Sequence, residues 1–352
     1  MAKKLLFSFL YLTLAIGCTK EEPKISAACE LTPNGTYLIK WETFPPMEGT
    51  VKVYESSRPD SFDLTSPVFE QNIQTGYRRV LPSVLSRTYF KLVFNRKYST
   101  IVSERTVPTQ GIFNFRDLGG YYNRNNKQIR WGKIYRSGSL GKATGYDRRI
   151  LAGLHLETLV DLRTEQESFY DPNKYKMPQV YNLPLRGNGH DIFFNEILSR
   201  KMRLTDILDY DRDVFSFILE NNTDYFIRMF DVLLEEKNYP VVISCFLGKD
   251  RTAIASALIL AALDVDEETI YEDYLLSNNL IDYHRLVRNA ESYSFDIQET
   301  ITALYSAHHK TIRHAFEEIR ANYGSMHNYM EKELHLTGKK REKLKSILLN
   351  DT

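Results

Sequence analysis

The chain has 352 residues, with 46 Lys plus Arg against 45 Asp plus Glu, a formal net charge of +1. That balance excludes general nucleic-acid binding, which needs a basic surplus. A hydrophobic content of 43% and an aromatic content of 12% exclude a disordered chain and leave room for one large or two ordinary domains.

In chain order, the first 17 residues read as a signal peptide. Lys3-Lys4 form a basic start, Leu5 to Leu14 an apolar stretch, and Ala15-Ile16-Gly17 a small-residue exit. Cys18 directly after Gly17 resembles a bacterial lipobox, with Ala15 in place of the commoner Leu. Cleavage there and lipidation of Cys18 would give an envelope protein anchored in the outer membrane of a Gram-negative bacterium, facing the periplasm or the surface. Residues 18–24 are then a tether, and Thr19-Lys20-Glu21-Glu22 resembles the export tag of Bacteroidetes surface lipoproteins. Of the three cysteines, Cys29 is left without an obvious partner, so no disulfide framework is expected.

Residues 25–107 carry short aromatic and β-branched runs, among them Tyr37 to Glu42, Thr50 to Tyr54 and Tyr89 to Phe94, separated by Pro, Asn and Gly turns. This spacing predicts a small all-β sandwich. Trp41 and the late Tyr89 strand resemble a fibronectin-type module. A stalk is the expected role; binding a partner and shaping a substrate entrance are the alternatives. Pro108-Thr109-Gln110-Gly111 marks the junction.

Residues 108–352 alternate apolar strands with helices and predict an α/β domain, its central sheet flanked by helices on both faces. Short strands are expected at Ile129 to Trp131 and Ile134 to Arg136. Helices are expected over Asp206 to Glu235, Asp266 to Asp282, Asp296 to Tyr323 and Ser325 to Leu349. Gly187 to Asp191 reads as a mobile loop, a candidate lid. Tyr271, Tyr274 and Tyr283 read as core, and His308-His309 as solvent-facing. No histidine shows metal-ligand spacing, so no metal or other cofactor is expected.

The chemistry concentrates in Ser244-Cys245-Phe246-Leu247-Gly248-Lys249-Asp250-Arg251-Thr252. Val241-Val242-Ile243 before it suits a buried strand, and the Ala- and Leu-rich run from Ala253 suits a helix. A strand, a tight Gly-containing loop and a helix N-terminus aim backbone N–H groups at an anion. Loop amides, the helix dipole and nearby cations favour a thiolate at Cys245. Arg251 offers a planar fork of donors matched to two phosphoryl oxygens. Phe246 and Leu247 contribute loop amides, and Gly248 lets the loop curl without obstructing the anion. Thr252 can give its hydroxyl to the sulfur, Lys249 adds positive charge at the rim, and Asp250 is placed to protonate a leaving oxygen.

Cys-x-x-Gly-Lys-Asp-Arg-Thr resembles the phosphate loop of the bacterial tyrosine phosphatase family that includes secreted mycobacterial and Listeria enzymes. Further matches are Asn114 to Tyr121, Tyr135 to Leu140, Leu159 to Glu167, Asp273 to Asn278 and Tyr323-Gly324-Ser325, in family order over roughly residues 108–350. The resemblance implies a metal-independent phosphomonoesterase working through a thiophosphate on Cys245. Its expected substrates are phosphotyrosine-type, with dual-specificity or phosphoinositide activity as extensions: phosphorylated proteins, peptides or inositol phosphates. The chain departs from the family at Ser244, where His is usual, and at Ala253, where Gly is usual. A catalytically weakened phosphate-binding lipoprotein is therefore the alternative.

Two acids compete for the proton-donor role. Asp250 lies in the loop; Asp161 follows Leu159-Val160 at a strand end, where it also suits a helix N-cap. Asp250 is favoured, with Asp161 or Arg163 arranging the loop. Asn114, Arg116 and Asp117 either touch the phosphate pocket or lock the turn at Gly119-Gly120.

Overall fold

The computed structural model describes residues 22–82, 87–186, 190–287 and 289–350. The signal peptide, Cys18 and most of the tether lie outside the described residues. So do Gly187 to Gly189 of the segment read as a lid, while His190 and Asp191 open a helix.

The N-terminal region is all β. β1 (Lys24–Leu31), β2 (Tyr37–Phe44) and β5 (Tyr77–Val80) form one antiparallel sheet. β3 (Thr50–Ser56), β4 (Phe69–Asn72), β6 (Tyr89–Phe94) and β7 (Tyr98–Ser103) form the other, in the order β4-β3-β6-β7. Alternation decides which side chains turn inward: Tyr37, Ile39 and Trp41 of β2 meet Val51, Val53, Phe90, Leu92 and Phe94 in one apolar cluster. Trp41 is buried to its polar tip, whose Nε1 donates to Ile73 O at 2.8 Å.

This module is fastened to the rest of the chain by buried polar groups. Arg87 pairs with Asp117 at 2.9 Å and donates to the Tyr135 hydroxyl at 3.1 Å. Arg105 Nη1 donates to the carbonyls of Asp117 and Gly119, both at 2.7 Å, and Trp131 Nε1 donates to Ile101 O at 2.8 Å.

The second region holds a five-stranded sheet in the order β11-β10-β12-β9-β8. Its strands are β8 (Arg116–Asp117), β9 (Ile134–Ser137), β10 (Thr158–Asp161), β11 (Gln179–Asn182) and β12 (Val241–Ser244). β9, β12, β10 and β11 run parallel, and β8 closes one edge antiparallel. Strand pleat divides the side chains: Leu159, Val242 and Tyr135 face a cluster with Leu151 and Leu154, whereas Val160, Val241, Ile243 and Ile134 face a larger helical core.

On the first face lies α1 (Gly145–Gly153). The remaining helices are α2 (Glu165–Tyr170), α3 (His190–Leu198), α4 (Leu204–Asn221), α5 (Thr223–Leu233), α6 (Asp250–Ala262) and α7 (Glu267–Leu275). They continue with α8 (Ser277–Leu280), α9 (Tyr283–Leu286), α10 (Phe295–Tyr305), α11 (His309–Tyr323), α12 (Met326–Lys332) and α13 (Gly338–Leu348). α6 is buried on every side, which explains its all-round Ala and Leu composition.

Each of the four long helices expected from the sequence is interrupted: at Asn222, Leu276, the Ser306–His308 link and the Glu333–Thr337 link. Ile129 to Trp131 forms no strand; Ile129 makes an isolated bridge to Leu349. Tyr271 and Tyr274 are core residues, as the sequence suggested, whereas Tyr283 is half-buried on the short helix α9 and not part of the core.

Candidate active site

Cys245 follows β12 directly, at the C-terminal edge of the parallel strands, and is 3% exposed. Residues 246–249 curl back, and α6 starts at Asp250, placing Arg251 in its first turn. Cys245, Leu247, Lys249, Asp250 and Arg251 enclose a cavity of about 10 Å³, room for about one water.

The loop is shaped from behind. Gly248 has φ +68°, and a Cβ there would stand 2.5 Å from the Ser137 carbonyl carbon. The glycine is thus demanded by the neighbouring strand end as well as by its own backbone, rather than by clearance for the anion. Its carbonyl accepts from Asn114 Nδ2 and from Arg136 Nη2, both at 2.7 Å. Arg136 and Arg116 converge on Asp273, with ion pairs of 2.6 and 3.1 Å. Burial alone would raise Asp273; the Arg116 and Arg136 charges outweigh it and hold the carboxyl well below the usual range. Burial and the Arg136 charge lower Arg116 to about 10.

Asn114, Arg116 and Asp117 therefore sit behind the loop and not in the pocket. Asn114 carries the Gly248 carbonyl. Arg116 is committed to Asp273. Asp117 accepts from the amides of Gly119 at 2.7 Å and Gly132 at 2.8 Å, and pairs with Arg87. In this structure these three residues are engaged by the scaffold behind the loop and do not line the cavity.

Arg251 is gripped by Glu167, its Nη1 and Nη2 each donating to the carboxylate at 2.6 Å. Burial works against the Arg251 charge, but Glu167 and the Cys245 sulfur outweigh it and hold the guanidinium ionised. Glu167 is also the third helical residue of α2, accepting from the Thr164 amide at 2.8 Å in a capping box. One carboxylate thus ends a helix and orients the phosphate-binding arginine, a role the sequence reading did not assign.

Asp161 is turned away from the cavity. It accepts from Arg163 Nε at 2.9 Å and Nη2 at 2.7 Å, and from Asn173 at 3.2 Å. Arg163 in turn donates to Ser139 Oγ at 2.8 Å and to Asp171 O at 2.6 Å. This buried pair braces the β10–α2 turn, and neither residue lines the cavity. Asp250 alone of the two candidate acids lines it.

Lys249 lines the cavity, yet its ammonium is drawn to the end of α10, donating to Leu304 O at 2.8 Å and Ser306 O at 2.9 Å. It does not sit at the rim as the sequence suggested. Ser244 Oγ donates to Gly138 O at 2.8 Å rather than toward the sulfur. Thr252 Oγ1 is buried and makes no hydrogen bond, so the expected bond to Cys245 is not formed. His308 is not a free surface group: its Nε2 stands 3.4 Å from Asp211 Oδ2 and 3.3 Å from Ala303 O.

The sequence profile described as "Tyrosine phosphatase family" matches residues 107–350. Among relatives, a "Putative tyrosine-protein phosphatase" of Cupriavidus necator is 26% identical over 231 residues, covering 64% of this chain and 82% of its own length. The "Triple specificity protein phosphatase PtpB" of Mycobacterium tuberculosis is 25% identical over 194 residues, 49% of this chain and 68% of that one. A loose structural overlap, with a TM-score of 0.30 and 16% identity, relates 55% of this chain to 87% of the core catalytic domain of PP-IP phosphatase SIW14 from S. cerevisiae. With the profile spanning the α/β domain, the protein is a phosphoric monoester hydrolase, and the chain belongs to the tyrosine phosphatase family.

Proposed function

We propose that the protein hydrolyses phosphotyrosine-type esters through a thiophosphate intermediate on Cys245. The observation that carries this is the sulfur of Cys245 and the guanidinium of Arg251 closing one cavity between β12 and the start of α6. The Cys245 thiolate attacks phosphorus, forming the S–P bond as the ester P–O bond breaks. Arg251 and the loop amides hold the equatorial oxygens. Asp250 gives its proton to the departing oxygen. Water, losing a proton to Asp250, then attacks the thiophosphate, and phosphate leaves with the thiolate restored.

Arg251 is braced, Gly248 is fixed by two donors and Asp250 faces the cavity, so the reacting groups are arranged before substrate arrives. Phosphorylated proteins or peptides are the proposed substrates, with phosphoinositides as a second class, in keeping with the phosphatases it resembles. A catalytically weakened phosphate receptor is favoured by one observation: neither Ser244 nor Thr252 donates to the sulfur.

An aryl phosphate assay in excess chelator separates these readings. The proposal expects turnover, inhibition by vanadate, and a loss of roughly 10⁴-fold or more in Cys245→Ser, the scale on which removing a nucleophile acts. Undiminished turnover in Cys245→Ser would exclude the mechanism. Vanadate binding without turnover would establish the receptor.

A further inference from the structure

A cleft of about 1600 Å³ lies between the N-terminal module and the α/β domain. One wall is the outer face of the sheet β4-β3-β6-β7. Phe90 and Leu92 turn into the sandwich, so alternation turns Lys91 between them outward into the cleft. The other wall carries Lys127, next to Gln128, and Lys133, directly before β9. Lys133, His155 and Pro240 precede β9, β10 and β12, so the cleft borders the N-terminal edge of the parallel strands. Cys245 lies at the opposite edge, and the cleft shares no residue with the cavity there.

Charge in the cleft is one-sided. Its two acids are Glu22 and Asp60, and both are already shared out. Asp60 pairs with Arg58 at 3.1 Å and also feels Lys133, while Glu22 lies in the field of Lys97. Arg87 is taken up by Asp117 at 2.9 Å. Lys91, Lys127 and Lys133 make no ion pair among the described residues. The chain as a whole is balanced at +1, so this excess of cations is local. Clustered cations repel one another and gain by facing an anion.

The described chain begins at this cleft, where Glu22 lines it. Cys18 precedes Glu22 by four residues, a span of at most about 14 Å. A lipid on Cys18, as the sequence leads one to expect, would bring this face to the headgroups. The attraction of an anionic lipid surface decays over a Debye length, about 8 Å in physiological salt, so a basic face beside the anchor is the one that can use it. We propose that the cleft between module and α/β domain docks on an anionic lipid surface. Lys91, Lys127 and Lys133 meet the phosphate headgroups, and Cys245, on the opposite edge of the sheet, is left facing solution. Substrates then arrive from solution, which puts phosphorylated proteins or peptides ahead of lipids of the same membrane. The docking stands on the charge of the cleft and on where the chain enters it, independently of the chemistry at Cys245.

The test is co-sedimentation with vesicles of phosphatidylcholine, alone or with one-third phosphatidylglycerol. The protein used is residues 19–352, which lack the lipid-bearing cysteine and keep every described residue. Binding is expected to the anionic vesicles only, weakened by salt and not displaced by vanadate, which occupies the Cys245 site instead. Lys91→Gln, Lys127→Gln and Lys133→Gln together are expected to lower the partition coefficient about a hundredfold, roughly fivefold for each lysine. Aryl phosphate turnover should be the same for this variant, and for wild type with and without vesicles. No binding to anionic vesicles, equal binding by the triple variant, or displacement by vanadate would overturn the inference. So would binding of a soluble sulfated oligosaccharide, lost in the triple variant, with vesicles left unbound. If the triple variant does not fold, the three single variants are read instead, and no change in any of them refutes the docking. Cys245→Ser is measured alongside: retained activity there sinks the thiophosphate mechanism, and leaves the vesicle result untouched.

Discussion

At the scale of single residues, the site depends on how Arg251 is held. A guanidinium that must meet two phosphoryl oxygens gains most when its plane is fixed in advance, and the two 2.6 Å bonds from Arg251 to Glu167 fix it. Glu167→Gln keeps one acceptor and loses the charge. It is expected to weaken vanadate binding about tenfold and to lower stability by about 1–3 kcal/mol, the range for a hydrogen bond to a charged group. Calorimetric titration and urea unfolding check both; a variant indistinguishable from wild type would mean that Arg251 orients itself. Cys245, Asp250 and Arg251 were legible in the sequence because they share one loop and their chemistry needs no distant partner. Glu167 was hidden by a second reading of the same letters, Thr164-x-x-Glu167 as an ordinary helix start. Asp211 and His308 carry no local signal, since an acid on an amphipathic helix and a histidine in a link read as surface. What buries them is the packing of α4 against α10 and α11.

At the scale of elements, the phosphate loop is an arch whose back is carried by two arginines. Arg136 is the one charged residue of β9 and is fully buried, so it needs a buried partner. The partner is Asp273 on α7, which accepts from Arg116, Arg136 and, at 3.0 Å, the Tyr121 hydroxyl. Asp273→Asn leaves two buried guanidinium groups without their anion, so a loss of about 3–5 kcal/mol is expected in urea unfolding. Turnover should fall further than stability explains, because Arg136 also carries the Gly248 carbonyl. A loss below about 1 kcal/mol would contradict the bracing role. Periodicity predicted the α/β alternation correctly because strands and helices of this domain bury different faces. It ran helices together because their interruptions are set by caps. Thr337 caps α13 through its side-chain oxygen, and at the break between α4 and α5 the Asn222 side chain donates to the carbonyl of Arg186 at 2.9 Å.

At the scale of the whole molecule, the N-terminal module is more than an attachment seen from sequence. Arg87 enters the α/β domain to reach Asp117 and Tyr135, and Asp117 in turn holds the amides of Gly119 and Gly132 in the connection from β8 to β9. Of the loop expected to be a lid, Gly187 to Gly189 lie outside the described residues and His190 and Asp191 open α3; the helices here form a small apolar cluster of their own. Ile197, Ile207, Val287, Ile301 and Leu304 pack apart from the main core, and Lys249 binds to that cluster's edge at Leu304 and Ser306. A cavity of about 10 Å³ is too small for a phosphoryl group, so entry of substrate requires the side chains that line it to move apart. The central claim is that phosphorus is bonded to one sulfur during turnover. Rapid quenching in acid of the reaction with a ³²P-labelled aryl phosphate, followed by peptide mapping, tests it directly. The account predicts transient label on the peptide containing Cys245, formed and lost at rates that support turnover. Steady turnover with no label on that peptide at any time would contradict it.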